Sequence, residues 1–221
     1  MVVILGNALN FPDPEVTATQ DGLVAIGGDL RVERLVLAYR QGIFPWPIFD
    51  DDLTTWFSPD PRAILEFDNL YVSRSLHKII RRREFDIRFD RDFAAVVKGC
   101  AEPGPDRPTT WITRRLASAY LDLHRAGYAH SVEAWHRDQL VGGLYGVAIG
   151  GLFAGESMFA RRSNASKVAL VHLVEHLRKR GFRLLDVQQA TPHMIRMGAT
   201  LIPRKDYLAR LAIALKANSS F

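Results

Sequence analysis

The chain has 221 residues, 48% of them hydrophobic, enough to bury a sizeable core as one large domain or as a small one joined to a medium one. Lysine and arginine exceed aspartate and glutamate by 29 to 24, a modest excess that leaves room for a polyanionic partner. The uncharged stretch Val141 to Gly155 is glycine-rich and falls short of the roughly 20 apolar residues of a spanning helix. MVVILGNALNFPDP lacks the basic start of a secretory signal, so a cytoplasmic protein is expected. A single cysteine, Cys100, provides neither an internal disulfide nor a metal site; its spacing with Phe93, Val96 and Val97 places it in the core.

The segment up to Arg62 is dense in turn signals: FPDP, IGGD, GIFPWP and SPDPR. Between them Val32, Leu35, Val36 and Tyr39 mark one helical face that Gly42 closes. The prolines of SPDPR mark a boundary, so residues 1–62 are read as a small N-terminal domain and 63–221 as a larger one. Ser73 caps a helix with Leu76, Ile79 and Ile80 inward, a strand follows at FDIRF, and a helix carries Phe93 to Cys100. Thr113 caps the next helix, which turns Leu116, Ala119, Tyr120 and Leu123 inward and ends at Gly127. HSVEAWH, LVGGLYGVAIG and LFAGESMFA are extended runs joined by HRDQ and GG, the pattern of an antiparallel meander. Asn164 caps a helix whose Leu170, Leu173, Val174 and Leu177 face the core, and the strand RLLDVQQA follows. Helices, meander, helix and strand in that order describe a mixed α+β fold.

Two carboxylates stand out. Alternation along LFAGESMFA places Glu156 on one face with Leu152, Ala154 and Met158, and alternation along LLDVQQA pairs Asp186 with Gln188. A buried ionised acid is costly unless paired or hydrogen-bonded, so either a basic residue of the chain or a substrate must satisfy each.

FPDP, GLVAIGGDL, AYRQGIFPW, WFSPDPR, SRSLHK, TWIT, AHSVEAW, LVGGLYG, FAGESMF, NASK and DVQQATPHMIRMGA occur in the order found in leucyl/phenylalanyl-tRNA–protein transferases, which the chain resembles over nearly its whole length. The resemblance implies a small N-terminal α/β domain and a larger acetyltransferase-like (GNAT-like) domain with a mixed, largely antiparallel sheet. It also implies transfer of leucine or phenylalanine, with methionine as a further donor, from aminoacyl-tRNA to proteins beginning with Arg or Lys. The product would carry an N-degron that directs it to proteolysis. No metal or nucleotide is called for, because an aminoacyl-tRNA is already an activated ester and an α-amine of pKa about 7.7–8.0 is partly neutral at pH 7. No cofactor, no membrane and a monomer are expected.

By that resemblance Asp186 and Gln188 are the catalytic pair, with Asp186 orienting Gln188, and Glu156 is a further carboxylate facing the amine. Leu144, Phe153, Met158, Leu173 and Leu185 are candidate walls of a side-chain pocket. Trp111 and Tyr120, joined by Tyr39 and Trp46 from the N-terminal unit, are a candidate clamp for the terminal adenosine, although packing alone would also account for Tyr39 and Tyr120. Arg74, Lys78, Arg81, Arg82 and Arg83 form a run without an acid, and Arg161, Arg162 and Lys167 flank a helix start; a tRNA would make phosphate contacts of both. The sequence departs from the family pattern at WFSP, at MFAR and at GGDLRVERL, and its leucines at 144, 173 and 185 leave donor preference open. An acyl-CoA N-acetyltransferase would share the fold, but RRSNASK lacks the glycine-rich pyrophosphate loop. A non-catalytic tRNA-binding or N-terminus-binding module would keep the basic run and the acids.

Overall fold

A computed structural model describes residues 2–47, 53–103 and 110–221. The first elements are β1 (Val3–Leu5), α1 (Pro14–Thr17), β2 (Leu23–Gly27), α2 (Val32–Arg40), β3 (Phe44–Pro45) and β4 (Thr55–Phe57). Their strands pair in the order β1-β2-β4-β3, parallel between β1 and β2 and antiparallel elsewhere. Trp56 anchors this small sheet: fully buried, it donates its indole N–H to the Gly27 carbonyl at 2.9 Å and meets the Phe11 ring edge-on.

Beyond the SPDP turn come β5 (Arg62–Ile64), α3 (Arg74–Arg81), β6 (Asp86–Phe89), α4 (Phe93–Ala101), α5 (Arg114–Arg125), β7 (Ala129–His136), β8 (Gln139–Ile149) and β9 (Leu152–Ala160). The chain continues through α6 (Ala165–Lys179), β10 (Leu184–Gln188), α7 (Pro192–Arg196), β11 (Thr200–Ile202) and α8 (Arg204–Ala214). These strands form a second sheet in the order β11-β5-β10-β9-β8-β7-β6. Only β9 and β10 run parallel, because α6 carries the chain back over the sheet between them; the other pairs are antiparallel. The fold is therefore α+β with a mixed, largely antiparallel main sheet, as expected.

Neighbouring residues of one strand point to opposite faces, and the core divides accordingly. Tyr145 and Ala154 pack with Phe93, Val96, Leu116 and Tyr120 of α4 and α5, whereas Leu144 and Phe153 pack with Leu170, Leu173 and Leu177 of α6. Ser73 and Thr113 cap α3 and α5 through their hydroxyls, accepting from Leu76 and Leu116 N–H at 3.2 Å each. Asn164 precedes α6 as expected but does not cap it: its backbone is left-handed, at φ 67°, and its side chain makes no capping bond. The start of α6 instead lies tight against β8, where a Cβ on Gly142 would sit 2.5 Å from the Ala165 Cβ. α8 clasps the turn before β5, with Arg204 donating to the Ser58 carbonyl at 2.8 Å and to Glu15 at 2.9 Å. No helix among the described residues is long and apolar enough to cross a membrane.

Candidate active site

The main sheet opens between β9 and β10. The two strands pair at Leu184 with Leu152, Leu185 with Phe153 and Asp186 with Ala154, and pairing then stops. On β9, Ser157 opposes Tyr145 and Gly155 opposes Gly146, so Glu156 is the extra residue of a bulge. Only glycine fits opposite it, because a Cβ on Gly146 would lie 2.3 Å from the Ala154 carbonyl oxygen. On β10 the register against β5 shifts between Asp186 and Gln188, and Gln188 is left-handed at φ 61°. For a non-glycine residue that conformation costs about 1–2 kcal/mol. Both strands deform at the same height, and the gap is bridged by the Gln188 amide, whose Nε2 donates to Glu156 Oε1 at 2.7 Å.

The bulge corrects one expectation. Glu156 does share a face with Ala154, but Met158 does not: it packs against the α6 core, while Phe159 joins the core of α4 and α5. One inserted residue reverses the alternation beyond it.

Glu156 is 8% exposed and has no basic partner among the described residues. Tyr120 donates to its Oε2 at 2.5 Å, and Tyr39 lies 3.0 Å from the Tyr120 hydroxyl. Tyr39 also hydrogen-bonds the Glu156 carboxylate. Burial pushes the Glu156 carboxyl up to about 7, against the pull of its hydrogen bonds from the tyrosines and Gln188. Burial likewise raises both tyrosines well above their ordinary value, so they stay protonated.

Asp186 has the opposite environment. It is 1% exposed and held by Arg62, whose Nε reaches Oδ1 at 2.9 Å and Nη2 reaches Oδ2 at 2.6 Å. Tyr207 of α8 donates to Oδ2 at 2.8 Å, and the Gln188 backbone N–H donates to Oδ1 at 2.9 Å. Asp186 thus meets Gln188 at its backbone N–H, while the Gln188 amide meets Glu156. Of the two acids the sequence singles out, Asp186 is thus satisfied by a basic residue of the chain, Arg62.

The candidate clamp and pocket fall on the two faces of the sheet. Trp46 and Trp111 stack at 4.7 Å between ring centroids and 18° between planes, against the core that holds Tyr39 and Tyr120. Leu144, Phe153, Leu173 and Leu185 are buried together in the α6 core with Met158 against them. Glu156 and Gln188 lie in the opening between.

A family model described as leucyl/phenylalanyl-tRNA protein transferase matches residues 64–212, and one for the N-terminal domain of the same proteins matches 28–60. The chain belongs to the leucyl/phenylalanyl-tRNA protein transferase family. It is 51% identical to the leucyl/phenylalanyl-tRNA–protein transferase of Pseudomonas syringae pv. syringae (strain B728a), over 92% of this chain and 90% of that protein. It is 53% identical to the one of Syntrophobacter fumaroxidans (strain DSM 10017 / MPOB), over 94% and 88%. Among solved structures, a GCN5-related N-acetyltransferase-like protein from Streptococcus suis overlays with a TM-score of 0.37 and 15% identity, covering 73% of this chain and 59% of that one.

Within this member of the transferase family the two basic groups differ. Arg74, Lys78, Arg81, Arg82 and Arg83 are all exposed on and just beyond α3, and none forms an ion pair with an acid among the described residues. Arg161 is instead paired with Glu102 at 2.7 Å and lies over the Phe159 ring, and Arg162 lies over Phe85 at 5.9 Å. Lys167 is half-buried in the first turn of α6. Arg62 and Tyr207 are the site residues that reading the sequence missed. Arg62 ends the boundary motif SPDPR, and it falls between the two matched spans. The requirement that a buried Asp186 find a cation was the signal that could have located it. Among the described residues no group of three or more His, Cys, Asp or Glu is placed to hold a metal ion.

Proposed function

We propose that this protein moves a leucyl or phenylalanyl residue from its tRNA onto the α-amino group of proteins beginning with Arg or Lys, as a cytoplasmic monomer. Residues 1–62 and 63–221 would act as the two domains that enclose the site. The observation that carries the reading is Glu156, a buried carboxylate with no cation against it among the described residues, pushed up to about 7 by burial, at an opening in the sheet between an aromatic stack and an apolar core.

In this reading the terminal adenosine sits on the face of Trp46, Trp111, Tyr39 and Tyr120. The aminoacyl side chain reaches through the opening toward Leu144, Phe153, Met158, Leu173 and Leu185, which puts the ester carbonyl beside Glu156. The acceptor amine attacks that carbonyl, the carbon–nitrogen bond forms, and the bond to the ribose oxygen breaks. Glu156 takes the proton that the amine sheds and returns it to the departing hydroxyl, so the carboxylate ends as it began. With its Nε2 bound to Glu156, Gln188 directs its amide oxygen at the amine. The decisive experiment supplies leucyl-tRNA and an Arg-starting peptide, with EDTA in one arm and acetyl-CoA as sole donor in another. Leucylated peptide is expected with EDTA and none with acetyl-CoA; the reverse pattern would overturn the reading.

The aromatic stack offers a separate test. A base inserted between two rings needs roughly twice a single stacking distance, so the 4.7 Å stack must part or slide when an aminoacyl-adenosine binds. The exciton couplet of the paired indoles in circular dichroism is expected to collapse on adding puromycin, and Trp111→Ala to weaken binding by about 5- to 150-fold. An unchanged couplet in the saturated protein would place the base elsewhere.

The α3 run supports phosphate contact, because five exposed bases without acidic partners favour a polyanion. Replacing Arg74, Lys78 and Arg81 to Arg83 with alanine is expected to weaken tRNA binding and flatten its dependence on salt, with the rate on aminoacyl-adenosine donors preserved. An unaltered slope would reduce the run to a solvated helix face. Arg161, Arg162 and Lys167 are assigned a smaller share, since Arg161 would first have to leave Glu102.

A further inference from the structure

The Arg62 guanidinium is 1% exposed and lies between two aromatic rings, 4.7 Å from the centroid of Phe44 and 4.4 Å from that of Tyr207. Two of its nitrogens grip both oxygens of Asp186, and the third donates to the Gly42 carbonyl at 3.0 Å. Gly42 and Phe44 belong to the first sheet's end of the chain, Tyr207 to α8, and Asp186 to the strand that carries Gln188. Gly42 is at φ 72°, and a Cβ there would fall 2.6 Å from Leu208 and 2.9 Å from the Tyr207 ring. The close seating of these parts depends on that glycine.

The same Asp186 oxygen that receives Arg62 Nε also receives the Gln188 backbone N–H. That bond holds Gln188 in its left-handed turn and hence aims its amide at Glu156. A carboxylate free to rotate would not fix that turn, and Arg62 removes the freedom by engaging both oxygens in its planar fork.

We propose that Arg62 is a positioning residue for the transfer reaction: through Asp186 it fixes the backbone of Gln188, and so makes the seating of the first 62 residues a condition of the catalytic geometry. It touches neither donor nor acceptor. The inference rests on the transfer reading above and adds to it a residue on which no chemistry falls directly. Glu156 is the reporter. The groups facing it are Tyr120 of α5 and Tyr39 of α2, Gln188 of β10, and the more distant Asp186 and Arg62 charges. Of these, only the Gln188 bond depends on the Arg62 fork.

The test is Arg62→Lys, which keeps the charge and loses the fork, assayed with leucyl-tRNA and an Arg-starting peptide across pH 5.5 to 9. A 10- to 100-fold fall in kcat is expected, the scale of a misplacement of about 1 Å, with KM for the donor within about threefold of wild type. The acid limb of the rate profile is expected to move to higher pH, because Glu156 loses the Gln188 bond that lowers its pKa. A wild-type kcat and an unmoved limb would overturn the inference, as would a lowered melting temperature accompanied by an unmoved limb. If Arg62→Lys does not fold, Tyr207→Phe removes one donor to Asp186 while sparing the ion pair. A limb that moves upward in that variant supports the proposal, and one that stays refutes it. Failure of the wild-type protein to transfer at all would count against the reaction itself, which separates the two conclusions.

Discussion

Glu156→Gln is expected to lower the transfer rate by roughly 100- to 10,000-fold at pH 7.5, the range associated with loss of a positioned proton acceptor. Its effect on stability should have the opposite sign. Burial raises the carboxyl from the ordinary 4.5 to about 7 in the fold, so the ionised form is the unfavourable one. Stability from this group is fully present below about pH 4.5, is lost as pH rises toward 7, and stays lost above it; the full difference is about 3 kcal/mol. A neutral glutamine avoids that loss. The variant is therefore expected to melt a few degrees higher than wild type at pH 8 and at nearly the same temperature at pH 4.5. The wild-type rate should rise through an acid limb near pH 7 that the variant lacks. A variant that unfolds early at pH 8 yet keeps its specific activity would show Glu156 to be a structural acid, with the proton acceptor elsewhere.

Asp186→Asn is expected to fail differently. It leaves the Arg62 guanidinium buried without a counter-charge, and breaking such a pair from one side costs about 3–5 kcal/mol. For a chain of this size the melting temperature should fall on the order of 10 °C. Transfer should fall too, because the Gln188 backbone loses its anchor. Adding Arg62→Met to Asp186→Asn removes the second charge, and most of the lost stability is expected to return while transfer stays low. Calorimetry beside a single-turnover assay separates the two effects. An Asp186→Asn protein that melts like wild type would mean that the pair contributes little to the fold and that Asp186 acts in the chemistry itself.

The contrast between these acids could not be drawn from the strand pattern. Alternation along LFAGESMFA and LLDVQQA marked both as inward-facing and in need of partners, which the burial of each bears out. It did not say which partner each would find. Arg62 lies 124 residues from Asp186 in the chain, and Tyr207 sits on a helix that was not expected at all. The meander, the helix α6 and the caps at Ser73 and Thr113 were legible because each depends on residues a few positions apart: glycine pairs, hydroxyl caps, apolar spacing near 3.6 or 2. The edge strands β5 and β11 were not. At three residues apiece they carry too little periodicity to be seen without the neighbours that pair with them.

What the sequence determined by itself, then, was the family, the α+β order of elements and the identity of Glu156, Asp186 and Gln188 as the polar residues of an apolar neighbourhood. Ordered motifs and local periodicity carry that information within short windows. The tertiary structure decided how those residues divide the work. A bulge at Glu156 and a left-handed turn at Gln188 open the sheet between two strands that are adjacent only in space. Whether burial pushes a carboxylate up to about 7 or a cation neutralises it depends on which groups fold back against it. Glu156 meets only neutral donors there, whereas Asp186 meets a guanidinium from the far side of the boundary turn. Electrostatic interactions inside a protein depend on distance and burial rather than on sequence separation, so no window along the chain contains the difference.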